Sequence, residues 1–281
     1  MLEQKLRQTC RELLANGTVK VIIGYGAAPA GQATRAVFIT TPEGVEQLVW
    51  NDRCEANLVA YLKRPEVRAL GKPAIVVKAC DERALVVLQQ EAQLERANVF
   101  VIGMACDGIG APREAKCRSC EDQVPRFCDV VLGEVTKPAD AASARWDELA
   151  EFMKKSPEER MAYWQQELAR CVKCYACRQV CPLCYCQRCI VDKNRPTVIS
   201  TSPSLKGNFA WHVTRAFHLA ARCAGCDACT RACPVGINLR LLNQSMAKAT
   251  EENFQCRPGT DPQAQPLIGN YATGDKEEFI R

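Results

Sequence analysis

The sequence holds two histidines, His212 and His218, and few aromatic residues, 6% of 281 positions. A chain so poor in imidazole is not built around a histidine-rich zinc or copper centre. No Cys-x2-Cys pair runs directly into histidine either, which removes the covalent haem signature. The two histidines stand on one expected helix, face different ways, and read as packed or surface residues rather than ligands. Long apolar runs are also missing. None approaches the ~18 residues a membrane-spanning helix needs, and the longest, around Val19–Ile23 and Val99–Ala105, are strand-length. Basic residues are scattered rather than stacked, and net charge is +5, from 37 Lys and Arg against 32 Asp and Glu. Nucleic acid is therefore not an expected partner. No basic stretch leads into an apolar segment and cleavage site after Met1, so the cytoplasm is the expected compartment.

What the chain has in quantity is cysteine, 19 residues. Eight of them form two copies of one pattern, C-x2-C-x2-C-x3-C-P: Cys171, Cys174, Cys177 and Cys181 before Pro182, then Cys223, Cys226, Cys229 and Cys233 before Pro234. Three closely spaced thiolates wrap three irons of a cubane, while the fourth ligates the neighbouring cluster in two-cluster ferredoxins. The spacing predicts two 4Fe-4S clusters with crossed ligation, Cys171, Cys174, Cys177 and Cys233 on one, Cys223, Cys226, Cys229 and Cys181 on the other. Structural zinc closes its shell with four ligands, usually two close pairs, and gives no reason for a four-thiol run ending in proline to recur. Disulfides would need an oxidising compartment. Arg170, Lys173, Arg178, Arg188, Arg222 and Arg231 flank the runs, either as solvated helix surface or as compensation for cluster charge and a dock for acidic redox partners.

Five further cysteines, Cys54, Cys80, Cys106, Cys117 and Cys120, precede these runs. Taken singly, each suits a buried core position. Together they point to a third 4Fe-4S cluster, with Cys106, Cys117 and Cys120 as ligands and either Cys54 or Cys80 completing the set. Cys184, Cys186 and Cys189 form a dense trio after the first run. It could hold a fourth cluster with a cysteine from elsewhere, such as Cys128 or Cys256, or another kind of metal site. Cys10 reads as a core residue.

Periodicity supplies the frame. Leu2–Asn16 has apolar residues at helical spacing and stops at Gly17. A strand is expected at Thr18–Ile23, then a Gly- and Ala-rich loop from Gly24 through Gly31, then a strand at Arg35–Thr40. That loop lacks the third glycine and following helix of a dinucleotide fingerprint. Strand Ala74–Lys78, helix Asp81–Ala92 and strand Asn98–Met104 make a βαβ unit, whose strand carboxyl ends, the usual place for chemistry in α/β folds, carry Cys80 and Cys106. Asp129–Gly133 suggests one more strand, and Lys137–Ala142 a linker. Ser156 before Pro157, with Glu158 and Glu159 in the first turn, opens a helix that delivers Cys171. Asn208–Ala221 and Ile237–Thr250 also read as helices, and Gln255–Arg281 as an extended tail. The expected architecture is an α/β N-terminal domain with a small parallel or mixed sheet over residues 1–140. A mostly α-helical two-cluster ferredoxin domain over 141–254 and a C-terminal tail over 255–281 follow.

The stretch from about residue 15 to 135 resembles the beta-subunit family of coenzyme F-420 hydrogenases and dehydrogenases. The resemblance is carried by Val-Val-Lys-Ala-Cys-Asp-Glu-Arg at Val76–Arg83, Val-Ile-Gly-Met-Ala-Cys-Asp-Gly at Val101–Gly108, and Cys117-x2-Cys120 with Asp129–Gly133. Asn57–Leu62 is similar to that family's helix after its cysteine-containing turn. The resemblance implies an α/β domain with a 4Fe-4S cluster that carries electrons between a flavin or deazaflavin and a partner's metal centre. Residues 165–245 resemble the two-cluster module of heterodisulfide-reductase-type redox subunits. Family members that reduce the deazaflavin hold a flavin with a longer α/β region, whereas this chain passes directly into its second half. No acid, base or nucleophile constellation stands beside a recognisable substrate pocket. The expectation is an electron-transfer subunit that works with a flavoprotein, hydrogenase, dehydrogenase or heterodisulfide-reductase-like partner. The alternative is a subunit with FAD in its first domain, exchanging electrons with ferredoxin, NAD(P)H or a deazaflavin.

Overall fold

The structure is a computed structural model that describes residues 1–29, 32–137, 145–191, 196, 199–271 and 273–274. The chain divides into two units, Met1–Arg145 and Trp146–Arg281. The stretch expected to link the domains lies, Lys137 apart, outside the described residues, as does the tail from 275 onward.

In the first unit, strands β1 (Val21–Gly26), β3 (Pro73–Val77) and β4 (Phe100–Met104) are near-continuous apolar runs, buried at almost every position. Strands read this way when both faces of a parallel sheet are covered. Together with β2 (Arg35–Ile39) and β5 (Val130–Leu132) they form a mixed five-stranded sheet in the order β2-β1-β3-β4-β5. Only the β1–β2 pair is antiparallel. Helix α1 (Leu2–Ala15) buries Leu6, Cys10 and Leu13, a short α2 (Pro65–Arg68) leads into β3, and α3 (Ala79–Gln90) is the crossover from β3 to β4. Cys10 is fully buried, and burial alone pushes its thiol up to about 12. Each fully buried Leu or Ile contributes about 1.5–3 kcal/mol, so Ile22, Ile23, Ile75, Leu85 and Ile102, all at most 1% exposed, supply much of this unit's stability.

Two local readings differ from the sequence expectation. β1 runs on through Gly26, pairing Gly24 with Val37 and Gly26 with Arg35. A Cβ at Gly24 would meet Leu48 Cδ2 at 2.3 Å, and one at Gly26 would meet Val37 Cγ1 at 2.4 Å. These glycines let side chains pack onto the strand and do not form a phosphate cradle. Asn57–Leu62 contains a 3-10 helix, Leu58–Tyr61, with the Asn57 side chain accepting from the Val59 amide at its start.

The second unit is helical: α5 (Asp147–Met153), α6 (Pro157–Ala169), α7 (Ala176–Gln179), α8 (Leu205–His218), α9 (Ala228–Arg231) and α10 (Leu239–Phe254). α4 (Ala115–Arg118) belongs to the first unit. A full capping box opens α6: Ser156 Oγ accepts from Glu159 N–H, and the Glu159 carboxylate accepts from Ser156 N–H at 2.7 Å. α8 begins three residues before the expected Asn208 because Ser204 caps it, accepting from the Gly207 amide. α10 begins after Asn238, which caps it through the Leu241 amide. The core is small, with Leu168, Trp211, Ile237 and Leu239 buried and cysteines packed among them. No helix among the described residues is long and apolar enough to cross a membrane.

Candidate metal centres

The parallel sheet of the first unit brings the carboxyl ends of β3 and β4 to one edge, and four dispersed thiols meet there. A cleft is lined by Cys80, Cys106, Cys117 and Cys120, with Lys78 and Lys116 beside them. Cys80 starts α3, Cys106 follows β4, and α4 with its following turn supplies Cys117 and Cys120. Cys54 does not line the cleft. It is buried to the side, and its Sγ accepts from Asn51 N–H at 3.4 Å. Burial raises the Cys80, Cys106 and Cys120 thiols above their ordinary range. A metal that replaces the proton removes that penalty. Backbone amides already point at sulfur here, Gly108 N–H to Cys106 and Ile109 N–H to Cys117, each at 3.4 Å.

Lys78 anchors this edge although it is only 2% exposed. Its Nζ donates to Asp81 Oδ2 at 2.7 Å, to the Cys54 and Ala56 carbonyls and to the Tyr25 hydroxyl. Burial alone would lower the ammonium's pKa, but Asp81 and then Cys80 more than offset it and hold Lys78 charged. Since the ammonium is already paired with Asp81, its part at this edge is to hold the Cys54 and Ala56 carbonyls and Tyr25 in place.

In the second unit the two runs adopt matching backbone shapes. Lys173 and Gly225 have φ of 53° and 70°, and Tyr175 and Asp227 have φ of 59° and 61°. A non-glycine residue in this left-handed region costs about 1–3 kcal/mol and clusters where a site demands it. Short helices α7 and α9 follow and pack on each other. Lys173 N–H points to Cys171 Sγ and Ile237 N–H to Cys233 Sγ, each at 3.4 Å, while Gly225 N–H serves Cys223 and Leu183 N–H serves Cys181.

The runs interlock. Burial pushes the Cys177 thiol up to about 11, and the neighbouring thiols that raise it further are Cys171, Cys233 and Cys174. Cys223 is likewise pushed up to about 11 by burial, with Cys226 and Cys181 as its neighbours, and Cys229 has Cys223, Cys181 and Cys226. The fourth cysteine of each run therefore stands with the first three of the other. Among the described residues no three His, Cys, Asp or Glu side chains converge tightly enough to hold a single metal ion. Buried donors are left over beside the runs: Trp211 Nε1 and Arg215 Nε have no hydrogen-bond partner among the described residues. Such orphans are costly unless an acceptor is bound, so the residues present fit a sulfur-rich anionic group.

The members of the trio have different surroundings. Cys184 hydrogen-bonds with Cys181, Cys189 packs against the Leu168–Trp211 core, and Cys186 is exposed. Cys128 belongs to the first unit, where its thiol donates to the Glu82 carboxylate at 2.9 Å, and burial and Glu82 raise its pKa. Cys256 is half-buried, with Glu251 the charge it feels.

Two polar residues of α8 are buried beside the cysteine runs, His212, read from the sequence as packed or surface, and Arg215, which the sequence did not single out. His212 is buried with Nε2 3.3 Å from Cys171 Sγ, its pKa lowered to about 4 by burial and then by Arg215 and Lys173. Arg215, 6% exposed, feels Cys184, Cys181, Cys229 and Cys177. The one available signal was their three-residue spacing, which places them on a common helix face. His218 is exposed.

No protein-family model matches the chain. It is 22% identical to the F420-dependent formate dehydrogenase subunit beta of Methanocaldococcus jannaschii, over 70% of this chain and 76% of that protein. It is 21% identical to the F420-dependent formate dehydrogenase 1 subunit beta of Methanococcus maripaludis, over 83% of this chain and 84% of that protein. The chain is therefore an F420-dehydrogenase beta-subunit-like protein, similar to these subunits over most of its length.

Proposed function

We propose that this chain is an iron–sulfur subunit of a multi-subunit oxidoreductase, relaying single electrons between partner redox centres. The observation that carries the reading is the interlocking of the two runs, Cys181 with Cys223, Cys226 and Cys229, and Cys233 with Cys171, Cys174 and Cys177. Two 4Fe-4S clusters on these quartets, in an α-helical ferredoxin-like unit of about residues 141–254, would supply one-electron chemistry at low potential. A third would sit on Cys80, Cys106, Cys117 and Cys120. Cys80 is favoured over Cys54 because it lines the cleft. The protein's own part is to present thiolates at fixed spacing, donate backbone amides to sulfur, exclude water and place buried cations nearby. Relatives that are subunits of formate dehydrogenases fit a role among partner subunits.

Anaerobic iron and acid-labile sulfide analysis with reduced-state EPR tests this. About twelve irons are expected, about eight would remove the first-unit cluster, and an iron-free sample would reject the reading. The F420-dependence in the relatives' names favours a second reading, with FAD in the first unit. Flavin fluorescence in an acid extract distinguishes it, and we expect none, because Gly24 and Gly26 are filled by Leu48 and Val37.

A further inference from the structure

A helix that packs on a core ordinarily buries an apolar stripe, yet three buried residues of α8 are polar. Asn208, His212 and Arg215 are 0%, 2% and 6% exposed. Successive spacings of four and then three residues put them on one stripe of the helix. All three reach the first cysteine run. Asn208 Nδ2 donates to the Cys171 carbonyl at 2.7 Å and to the Leu168 carbonyl at 3.1 Å. Arg215 Nη2 donates to the Cys177 carbonyl at 3.1 Å. Between them, His212 Nε2 lies 3.3 Å from the Cys171 sulfur itself.

A packed histidine needs only a partner for its ring nitrogens, and a thiol hydrogen could serve. A metal-bound cysteine sulfur has no hydrogen to give. With Cys171 as a ligand, the hydrogen of this contact therefore sits on Nε2, and the imidazole is the donor. Its ring is held edge-on to Trp211, with centroids 4.8 Å apart, and Trp211 is held in turn by Tyr175 at 5.4 Å. Asn208 fixes the other side of the contact through the Cys171 carbonyl. The Cys171 sulfur thus meets two N–H groups, the Lys173 amide at 3.4 Å and the imidazole. Donors to sulfur favour the more negative, reduced state and raise the potential of a cluster. The second run has a counterpart from another helix: Asn243 of α10, 5% exposed, places Nδ2 3.6 Å from Cys229 Sγ.

We propose that His212 is a positioning residue for the first quartet: its Nε2–H holds the Cys171 sulfur in place as a ligand and raises the potential of the cluster on Cys171, Cys174, Cys177 and Cys233. Asn243 serves Cys229 in the same way. This role rests on the cluster reading proposed above. The step it tunes is the gain or loss of one electron. No bond forms or breaks, and the hydrogen stays on Nε2.

Anaerobic potentiometric titration followed by EPR, on the iron-loaded full chain, tests the role. His212→Phe keeps a ring against Trp211 and removes the donor. It should lower the midpoint of one cluster signal by about threefold in the oxidised-to-reduced ratio, about 28 mV for a one-electron couple, and leave the other signal in place. His212→Gln, which retains a side-chain N–H, should recover part of the shift, and Asn243→Leu should move the other signal. With iron content intact, four results would overturn the role: unmoved midpoints, equal shifts of both signals, identical behaviour of the Phe and Gln variants, or one signal moved by both His212→Phe and Asn243→Leu. If His212→Phe loses its iron, the unaltered protein still decides. It has two histidines, and His218 is exposed, so isotopically labelled histidine puts a magnetic nitrogen beside one quartet. Pulsed EPR of the reduced protein should show that nitrogen coupled to one cluster signal, with the coupling retained in His218→Gln. Its absence would overturn the role, whereas iron-free unaltered protein would instead reject the cluster reading itself.

Discussion

In the first unit the thiols that share a cleft, Cys80, Cys106, Cys117 and Cys120, come from two strand ends and a short helix. In the second, three members of each quartet fall within seven consecutive residues, Cys171–Cys177 and Cys223–Cys229. The first site is made by a sheet that stands on its own apolar core. The second is made by local chain shape, and its surrounding core is partly cysteine. Metal should therefore matter differently to the two: an addition to a finished fold in one case, part of the fold in the other.

The sharpest way to break this contrast is Cys226→Ser. It should remove about four of about twelve irons and loosen the whole second unit, read as lost helical circular dichroism. Retention of full iron would reject the ligand assignment, and iron loss with unchanged helicity would erase the contrast. Cys117→Ser should cost the same iron but leave the sheet's unfolding transition nearly in place. Cys80→Ser should match Cys117→Ser, while Cys54→Ser should keep all the iron. The reverse outcome for Cys80 and Cys54 would exchange their roles.

Asp81→Asn addresses the first unit's independence. It leaves the Lys78 ammonium buried without its carboxylate, a change worth about 3–5 kcal/mol when a buried pair is broken. Urea unfolding should show that loss whether or not iron is bound. A drop confined to iron-loaded protein would mean that the sheet leans on its metal after all. The smallest effect is expected from Ser156→Ala, which removes the side-chain cap of α6 and should cost about 1 kcal/mol. It should lower the second unit's stability with iron content unchanged.

How much could be read in advance differed with the range of the interaction. β3, α3 and β4 were legible because an unbroken apolar run, an amphipathic stretch and a second run follow in order. Ser156 and Glu159 announced their cap because both partners lie within four residues. β1 was misjudged at its end: glycines usually mark a loop, and only the approach of Leu48 and Val37 reveals them as packing positions. The choice between Cys80 and Cys54 stayed open in the sequence because it depends on which backbone lines the sheet edge. Arg215 left only its three-residue spacing from His212, since an arginine on an amphipathic helix is ordinarily solvated and its burial is decided by what packs around it.

By itself the sequence determined where strands and helices form and how the cysteines are spaced within each run. Both are set by stereochemistry over a few residues. Tertiary structure alone decided which of the dispersed thiols line the first unit's cleft and which cations are shut away from water. Those outcomes depend on strand register, on helix packing and on the loss of solvent, and no short stretch of chain encodes them.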